Sequence, residues 1–382
     1  MDFKKSKALT FGMELELQLV DEDTGQLSPC SAELWRELEV LPEHERFSLE
    51  ATLSTMEVTS SIHEDADALE AETRENVLTL KKIARRQGVD LRGGGTHILQ
   101  FWNEREFTET DRAAELSAKY GFLPKRFSTY GMHVHIGVPG KEEAVQLANV
   151  LQSLSPLFIA LSAASPFQQG VDTGFCAARP LEPLVYPYGG PMPRVNSWAE
   201  FETITQEIFD SGLAKSLKDI YWDVRPKPEF GTVEVRVFDT PLSVRKAVAL
   251  AAFTRACSAL ALHGQLGYAP IAIPYNTERV SRFMACRDGM DARLFNPAVC
   301  EWMPARQWLA MLIERIEAHP TCDADMRKIR SLHQQAENEQ DSDTMRETWG
   351  NILNTSPSMV HWQPGPLEYA VNSREHCARL LA

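Results

Sequence analysis

TFGMELELQLV, residues 10–20, has the alternating pattern of a β-strand. Apolar residues occupy every second position from Met13 to Leu19, a period of two that places one face of a strand in a hydrophobic core. The opposite face carries Glu14 and Glu16. Because two like charges on one side of a strand repel each other, this face needs a compensating cation.

Three further segments repeat this alternation, at residues 54–59, 131–138 and 232–239. Each places aliphatic residues on one face and ionisable residues on the other. The ionisable residues are Glu57 in the first segment, His133 and His135 in the second, and Glu234 and Arg236 in the third. In the third segment the alternation also predicts that Phe238 lies on the face of Glu234. A strand with one solvated face alternates in the same way, so no single segment distinguishes a site from a protein surface.

Together, the four segments predict a cation site. If they share one sheet, four carboxylates and one imidazole form an oxygen-rich cluster of the kind that Mg²⁺ or Mn²⁺ prefers, whereas a zinc site would use more His or Cys. The carboxylates belong to Glu14, Glu16, Glu57 and Glu234. Arg236 adds the positive charge that phosphoryl transfer needs, although a cross-strand ion pair explains this arginine equally well.

The composition excludes several classes of protein. The chain has 382 residues, with 39 Lys and Arg against 53 Asp and Glu, which gives a formal net charge of −14. Non-specific nucleic-acid binding needs a basic surface, so it is excluded. The length allows one elaborated domain or two. We expect residues 1–382 to form a single catalytic domain, with strands mainly within residues 8–240 and a helical portion over residues 243–382.

The cysteines and the N-terminus predict a cytoplasmic protein. The seven cysteines form no C-x-x-C pair and are a poor disulfide framework. Residues 1–20 lack the unbroken apolar run of a signal peptide. We find no uncharged apolar window that approaches 18 residues, so no membrane span is expected.

Other signals predict helices and loops. The expected helices are one capped by Ser60 or Ser61 and ended by Gly88, an apolar one over residues 141–155 that stops near Pro156, one from Ser243 to about Leu266, and several more after Pro274. The Gly-rich residues 91–98 lack the Lys-Ser/Thr of a P-loop and are expected to form a strand edge or a tight turn. Residues 170–194, rich in Gly and Pro, are expected to be a functional loop or a lid.

Six stretches, taken together, resemble the glutamate–cysteine ligase type 2 family, the bacterial carboxylate–amine ligases. They are FGMELELQLVDEDTG (11–25), MEVTSSIHED (56–65), GGTHILQFW (94–102), GMHVHIGVP (131–139), SPFQQGVDTGF (165–175) followed by Arg179, and IYWDVRPKPEFGTVEVRVFDTPL (220–242). They occur in the family's order over about 230 residues.

The resemblance implies an α+β, glutamine-synthetase-like fold, in which a curved antiparallel sheet surrounds the active site and helices pack on its outer face. It implies a reaction in which ATP phosphorylates the γ-carboxylate of glutamate and an amine such as cysteine attacks the acyl phosphate. ATP is then a substrate and Mg²⁺ or Mn²⁺ a cofactor. The implied partners are small molecules rather than nucleic acid or membrane, and the oligomeric state stays open, a homo-oligomer included.

The resemblance also assigns roles to residues. Arg236 and Glu57 are the expected catalytic residues. The implied metal ligands are Glu14, Glu16, Glu57, His133 and Glu234, with Glu50 as a weaker candidate outside the alternation. The expected substrate-binding residues are Arg179 and Arg225 for carboxylates, Trp222 for stacking on adenine, and His135 as a phosphate contact or a support for a ligand.

Two other functions are compatible with the sequence. One is a metal-dependent hydrolase built on His133-x-His135, which would need further His ligands and a softer metal. The other is a catalytically silent, ligase-like binding module. The physiological amine also stays open, because Met13 and the pair Ala177–Ala178 replace residues that are often more polar in the family.

Overall fold

The structure, a computed structural model, describes residues 1–108, 111–126, 129–266, 274–321 and 323–355. For residues 111–113, 275 and 351–355 it describes the backbone alone. The last part of the expected single domain, together with Cys322 and Cys377, lies outside the described residues. The other five cysteines, at positions 30, 176, 257, 286 and 300, are free thiols.

The described chain mixes strands and helices up to residue 304 and is helical after it. The strands are β1 (Phe11–Asp21), β2 (Phe47–Leu49), β3 (Thr55–Thr59), β4 (Val89–Arg92), β5 (Gly131–Gly137), β6 (Phe167–Gln168), β7 (Val171–Asp172), β8 (Gly189–Gly190), β9 (Tyr221–Trp222), β10 (Val224–Lys227), β11 (Thr232–Asp239), β12 (Arg293–Asn296) and β13 (Glu301–Pro304). The α-helices are α1 (Ser31–Leu38), α2 (Ala66–Arg85), α3 (Asp111–Tyr120), α4 (Leu123–Arg126), α5 (Lys141–Ser162), α6 (Trp198–Asp210), α7 (Val244–Leu262), α8 (Tyr275–Asp288), α9 (Ala305–Glu317), α10 (Asp323–Asn338) and α11 (Asp341–Thr355).

A seven-stranded antiparallel sheet organises these elements, in the order β10-β11-β5-β1-β3-β2, with β4 also paired to β1. The long strand β1 is central, because its first half pairs with β5, its second half with β4, and its other edge with β3. The four segments that alternate in the sequence are therefore in one sheet, as predicted.

Helices cover the apolar face of this sheet. On β1 and β5, Met13, Leu15, Val134 and Ile136 are almost completely buried, and α2, α5 and α7 pack against the sheet strands. Burying an aliphatic side chain of this size contributes about 1.5–3 kcal/mol to stability. The apolar face thus lies in the core, and the predicted α+β architecture with helices on the outer face of the sheet is confirmed.

Phe238 lies in the core, so the prediction that it shares the face of Glu234 is wrong. Val235 pairs with Val134 and Phe238 with Met132, which places one extra residue in β11 between these pairs. Such a β-bulge shifts the alternation by one position. The Phe238 ring is consequently buried against Phe158, with 5.2 Å between ring centroids.

Helix α5 continues through Pro156 to Ser162, although the sequence analysis expects it to end near the proline. Residues 157–161 are buried, and their packing offsets the backbone hydrogen bond that Pro156 cannot donate. Contrary to the expectation for the sequence, α5 is also long and apolar enough to cross a membrane, but 78% of its most apolar window is buried inside the protein. It is the central helix of the core.

Helix α2 begins later than predicted, because its N-cap is Asp65 and not a serine. The Asp65 side chain accepts a hydrogen bond from the amide of Ala68 at 2.9 Å. Ser61 instead donates to Glu72 at 2.8 Å. Helix α7 does begin as predicted, after its N-cap Ser243.

We expect Asp65→Ala to lower the free energy of unfolding by about 1 kcal/mol, because the amide of Ala68 then loses its acceptor. Asp65→Asn keeps a capping oxygen and should leave stability nearly unchanged. Urea denaturation followed by circular dichroism measures both variants. Equal losses would show that the negative charge of Asp65, rather than its capping oxygen, stabilises the helix.

Candidate functional site

Cross-strand pairing brings the ionisable residues of the sheet into one continuous row. The facing pairs are Glu57 and Glu16 between β3 and β1, Glu14 and His133 between β1 and β5, His135 and Glu234 between β5 and β11, and Glu234 and Arg225 between β11 and β10. Below, the acidic cluster means Glu14, Glu16, Glu50, Glu57, His133, His135 and Glu234.

Three sets of side chains in the acidic cluster have potential metal-ligand atoms within 4.8 Å of one another. The sets are Glu14, Glu57 and His133; Glu14, His135 and Glu234; and Glu16, Glu50 and Glu57. Glu14 and Glu57 each belong to two sets, so neighbouring cations could share a carboxylate. Glu50 follows the end of β2, which explains why it joins the cluster without following the strand alternation.

Each imidazole has at least one ring nitrogen that faces a carboxylate. His133 Nδ1 lies 2.9 Å from Glu14 Oε2, and its buried Nε2 makes no hydrogen bond to any described residue although Glu16 Oε1 is 3.8 Å away. His135 Nδ1 lies 3.0 Å from Thr232 Oγ1, and its Nε2 is 3.2 Å from Glu14 Oε1. Burial, aided by the nearby Arg236 charge, lowers the pKa of His133 and favours the neutral imidazole that binds metals.

The carboxylates have strongly different proton affinities. Burial, reinforced by repulsion from the neighbouring carboxylates, raises the pKa of Glu57 well above its usual range and that of Glu50 to about 7. Burial acts in the same direction on Glu14, but its hydrogen bonds to His133 and His135 outweigh it and lower the pKa. The cluster therefore has more carboxylates than the protein's own cations can neutralise, a condition that a bound divalent cation would relieve.

Two arginines contact Glu234 in different ways. Arg225 is 3% exposed, and it donates from Nε to Glu234 Oε2 at 2.6 Å and from Nη1 to two backbone carbonyls. Arg236 contacts Glu234 Oε1 and lies 3.5 Å from His133 Nδ1. Burial opposes ionisation of Glu234, but the two guanidinium groups hold its pKa well below the usual value. Arg225 thus anchors Glu234 inside the protein, while Arg236 faces the acidic cluster.

Arg179 lies at the edge of the acidic cluster. Its guanidinium packs directly on Gly131, where a Cβ atom would approach Nη2 to 1.9 Å, and it donates to the carbonyl of Arg236 at 3.3 Å. The amide of Gly131 donates to Glu16 Oε2 at 2.5 Å. A side chain at position 131 would displace this guanidinium.

Trp222 does not lie at the acidic cluster. It is 3% exposed and packs near Phe201 with 6.3 Å between ring centroids. Its indole is a core group without a free face, so the expectation that Trp222 stacks on adenine is not supported by its position. The short strand β9 has no alternation from which this burial could be inferred.

One polar contact of the cluster and one nearby arginine escape the sequence analysis. Ser48 on the three-residue strand β2 donates to Glu57 Oε1 at 2.7 Å. Arg105, in the segment before α3, is half-buried near Tyr130 and Glu182. Neither residue belongs to an alternating pattern, and no spacing signal could have found them. Of the Gly-rich residues 91–98, expected to form a strand edge or a tight turn, residues 91–92 end β4, and the irregular segment that follows has Gly94 at φ +104°.

Replacing Arg225 should lower the free energy of unfolding even in the absence of any ligand. We expect Arg225→Ala to cost about 3–5 kcal/mol, because the buried Glu234 loses a hydrogen-bonded cation. Lys218→Ala, an exposed change in the preceding turn, should cost less than about 0.5 kcal/mol. Chemical denaturation measures both. Equal stability of the two variants would contradict the anchoring role of Arg225.

Comparison with known proteins identifies relatives of the whole chain. A model of the family described as glutamate–cysteine ligase family 2 matches residues 10–368. Proteins provisionally named glutamate–cysteine ligase 2 are similar: that of Paracidovorax citrulli is 38% identical over 87% of this chain and 89% of its own, and that of Methylibium petroleiphilum is 39% identical over 83% of this chain and 86% of its own.

Solved structures with low sequence identity share the fold. The glutamate–cysteine ligase of Francisella tularensis, solved in complex with AMP, superposes with a TM-score of 0.61 at 13% identity, covering 99% of this chain and 94% of its own. A bifunctional glutathione synthetase from Pasteurella multocida gives 0.62 at 12% identity, covering 97% of this chain and 52% of its own. The fold is thus that of the glutamine-synthetase-like ligases, as the sequence predicts.

Proposed function

The chain belongs to glutamate–cysteine ligase family 2, and from this premise we propose that it is an ATP-dependent carboxylate–amine ligase. The observation that carries the proposal is the acidic cluster, in which overlapping sets of carboxylates and imidazoles lie beside Arg236. We propose glutamate as the acyl donor and an amine such as cysteine as the acceptor.

The reaction explains why such a cluster is needed. A carboxylate resists attack by an amine because it is anionic and has no good leaving group. In the proposed first step an oxygen of the glutamate γ-carboxylate attacks the γ-phosphorus of ATP and ADP leaves. In the second step the amine nitrogen attacks the acyl carbon, phosphate leaves, and the nitrogen loses a proton. Both steps bring anions together, so positive charge is required.

The donor set fits Mg²⁺ or Mn²⁺. Carboxylate oxygens dominate the three ligand sets, as hard divalent cations prefer, and the unpartnered Nε2 of His133 offers one nitrogen ligand. The residues that would hold the cations are Glu14, Glu16, Glu50, Glu57, His133 and Glu234, with His135 as a further candidate. When bound, the cations would neutralise phosphate charge and orient the phosphate oxygens.

Arg236 would act directly on the reacting groups. Its guanidinium is fixed by Glu234 and lies over the imidazole side of the cluster, so it would stabilise charge on the transferring phosphoryl group without reorganisation. Arg179, held against Gly131, would bind a substrate carboxylate. Arg225 would act only through Glu234, because its hydrogen bonds go to Glu234 and to two backbone carbonyls.

Metal binding can be tested without catalysis. We expect Glu57→Gln to weaken Mn²⁺ binding by at least about tenfold, because Glu57 belongs to two of the ligand sets. Glu22→Gln, which changes an exposed carboxylate paired with Arg85, should bind Mn²⁺ normally. Electron paramagnetic resonance of free Mn²⁺ measures both affinities. Unchanged binding by Glu57→Gln would contradict the assignment of the cluster as a cation site.

The ligase activity requires a separate experiment. ADP release should depend on Mg²⁺, glutamate and an amine drawn from a panel that includes cysteine. Glu57→Gln should abolish most turnover, and Arg236→Ala should lower kcat by about 10²–10³-fold, the usual cost of losing a group that stabilises transition-state charge. Glu22→Gln serves as the control. ATP turnover that Glu57→Gln leaves unaffected would overturn the proposed function.

The two other functions are less well supported. In the part of the chain that the structure describes, the cluster contains two imidazoles against five carboxylates, a poor set for the zinc of a hydrolase. Tightly bound stoichiometric zinc in the purified protein would favour the hydrolase. Nucleotide binding without turnover of any substrate pair would favour the binding module. The cytoplasmic location and the oligomeric state stay predictions.

A further inference from the structure

Arg105 directly precedes a segment that borders the acidic cluster. The segment that follows Arg105 is hydrogen-bonded to the segment that carries Glu50. The amide of Leu53 donates to the carbonyl of Glu106 at 3.0 Å, and Thr108 Oγ1 donates to the carbonyl of Glu50 at 2.6 Å. These contacts place residues 106–108, which follow Arg105, against the backbone of the segment that carries Glu50, a member of one ligand set.

The guanidinium of Arg105 is poorly satisfied by the protein. Nη1 donates to the carbonyls of Pro124 and Lys125 at 3.3 Å each, and the water-inaccessible Nε has no hydrogen-bond partner among the described residues. No described Asp or Glu has a carboxylate oxygen within 4.0 Å of a guanidinium nitrogen of Arg105, the distance that defines an ion pair. Burial lowers the pKa of Arg105 to about 10. A half-buried cation that forms no ion pair with a described carboxylate is favoured by a ligand that supplies the negative charge.

The described carboxylate that interacts electrostatically with Arg105 is already engaged by other residues. Glu182, which interacts electrostatically with Arg105, already accepts a hydrogen bond from Gln168 Nε2 at 2.5 Å and has Arg126 Nη2 at 3.7 Å. Tyr130, a second electrostatic neighbour, directly precedes Gly131 at the start of β5.

A second guanidinium borders the same short segment. Arg179 packs on Gly131, and its Nε is also buried without a hydrogen-bond partner in the described chain. Like Arg105, it forms no ion pair with a described carboxylate. Residues 130–131 are therefore bordered by two arginines with unused donors, at the start of β5 where the amide of Gly131 contacts Glu16. The two guanidinium groups favour the binding of an anion at this position.

We propose that Arg105 binds a carboxylate of an amino-acid substrate other than the carboxylate that is phosphorylated. The inference rests on the proposed ligase function, in which the reacting carboxylate lies at the acidic cluster near Arg236. The forked guanidinium suits a carboxylate because it can donate two parallel hydrogen bonds. The carboxylate could be the α-carboxylate of the acyl donor or that of an amino-acid acceptor, and substrates that lack it distinguish the two.

The test compares matched substrates in wild-type protein and in Arg105→Met, which keeps the side-chain length and removes the charge. Glutamate is paired with 4-aminobutyrate, which lacks the α-carboxylate, and cysteine is paired with cysteamine. In one pair we expect Arg105→Met to lower kcat/KM for the carboxylate-bearing substrate by about 10²-fold, mainly by raising KM. The kcat/KM of the truncated substrate in that pair should stay unchanged. That pair identifies the substrate whose carboxylate Arg105 binds.

Two further variants separate recognition from folding. Arg105→Lys keeps the charge and loses the fork, so it should recover part of the lost affinity, and it replaces Arg105→Met if the latter does not fold. Arg126→Met, a neighbouring and more exposed arginine, should leave both substrate preferences unchanged. Circular dichroism and thermal unfolding establish that each variant is folded.

The outcomes distinguish the two levels of the proposal. Equal losses for both members of each pair, or no loss at all, would overturn the role of Arg105 while leaving the ligase function intact. Failure of the wild-type protein to release ADP with any acid and amine would overturn the ligase function, and the inference about Arg105 with it.

Discussion

The register of β1 against β3 and β5 is the constraint on which the acidic cluster depends. Because side chains alternate along a strand, a slip of one residue would turn Glu14 and Glu16 into the core and Leu15 toward the cluster. The same slip would move the aliphatic residues at every second position out of the core, and each loss of apolar burial costs free energy. Hydrophobic burial therefore brings the carboxylates together, although their mutual repulsion opposes it.

The protein's own cations compensate this repulsion unevenly. At the β10–β11 side, two guanidinium groups contact Glu234 and keep it ionised. At the β2–β3 side, Glu57 receives a hydrogen bond from Ser48 and no arginine contact among the described residues, and its pKa rises. The charge of the cluster thus changes across the sheet. A phosphate group would be favoured near the arginines, and a divalent cation would be favoured at the carboxylates.

Much of this arrangement is predictable from the sequence because it follows from a period of two. The alternation identifies four strands and the ionisable residues that share one face. It cannot show that Phe238 enters the core, since the bulge in β11 has no sequence signal. Nor can it show that Ser48, on a three-residue strand, and Glu50, directly after that strand, join the cluster. Arg225 and Trp222 belong to recognisable stretches, but their burial depends on packing against distant segments. Arg105 lies outside every pattern.

The net charge of −14 limits how such a site can bind its substrates. The proposed substrates ATP and glutamate are anions, and an acidic protein repels them at long range, so electrostatic steering cannot drive their association. Binding must instead come from short-range contacts in places where solvent screening is weak. In the site proposed here, those contacts are divalent cations on the carboxylates and three arginines, at positions 105, 179 and 236. The carboxylates would repel a nucleotide until cations occupy them, so the cations must bind before the nucleotide or together with it.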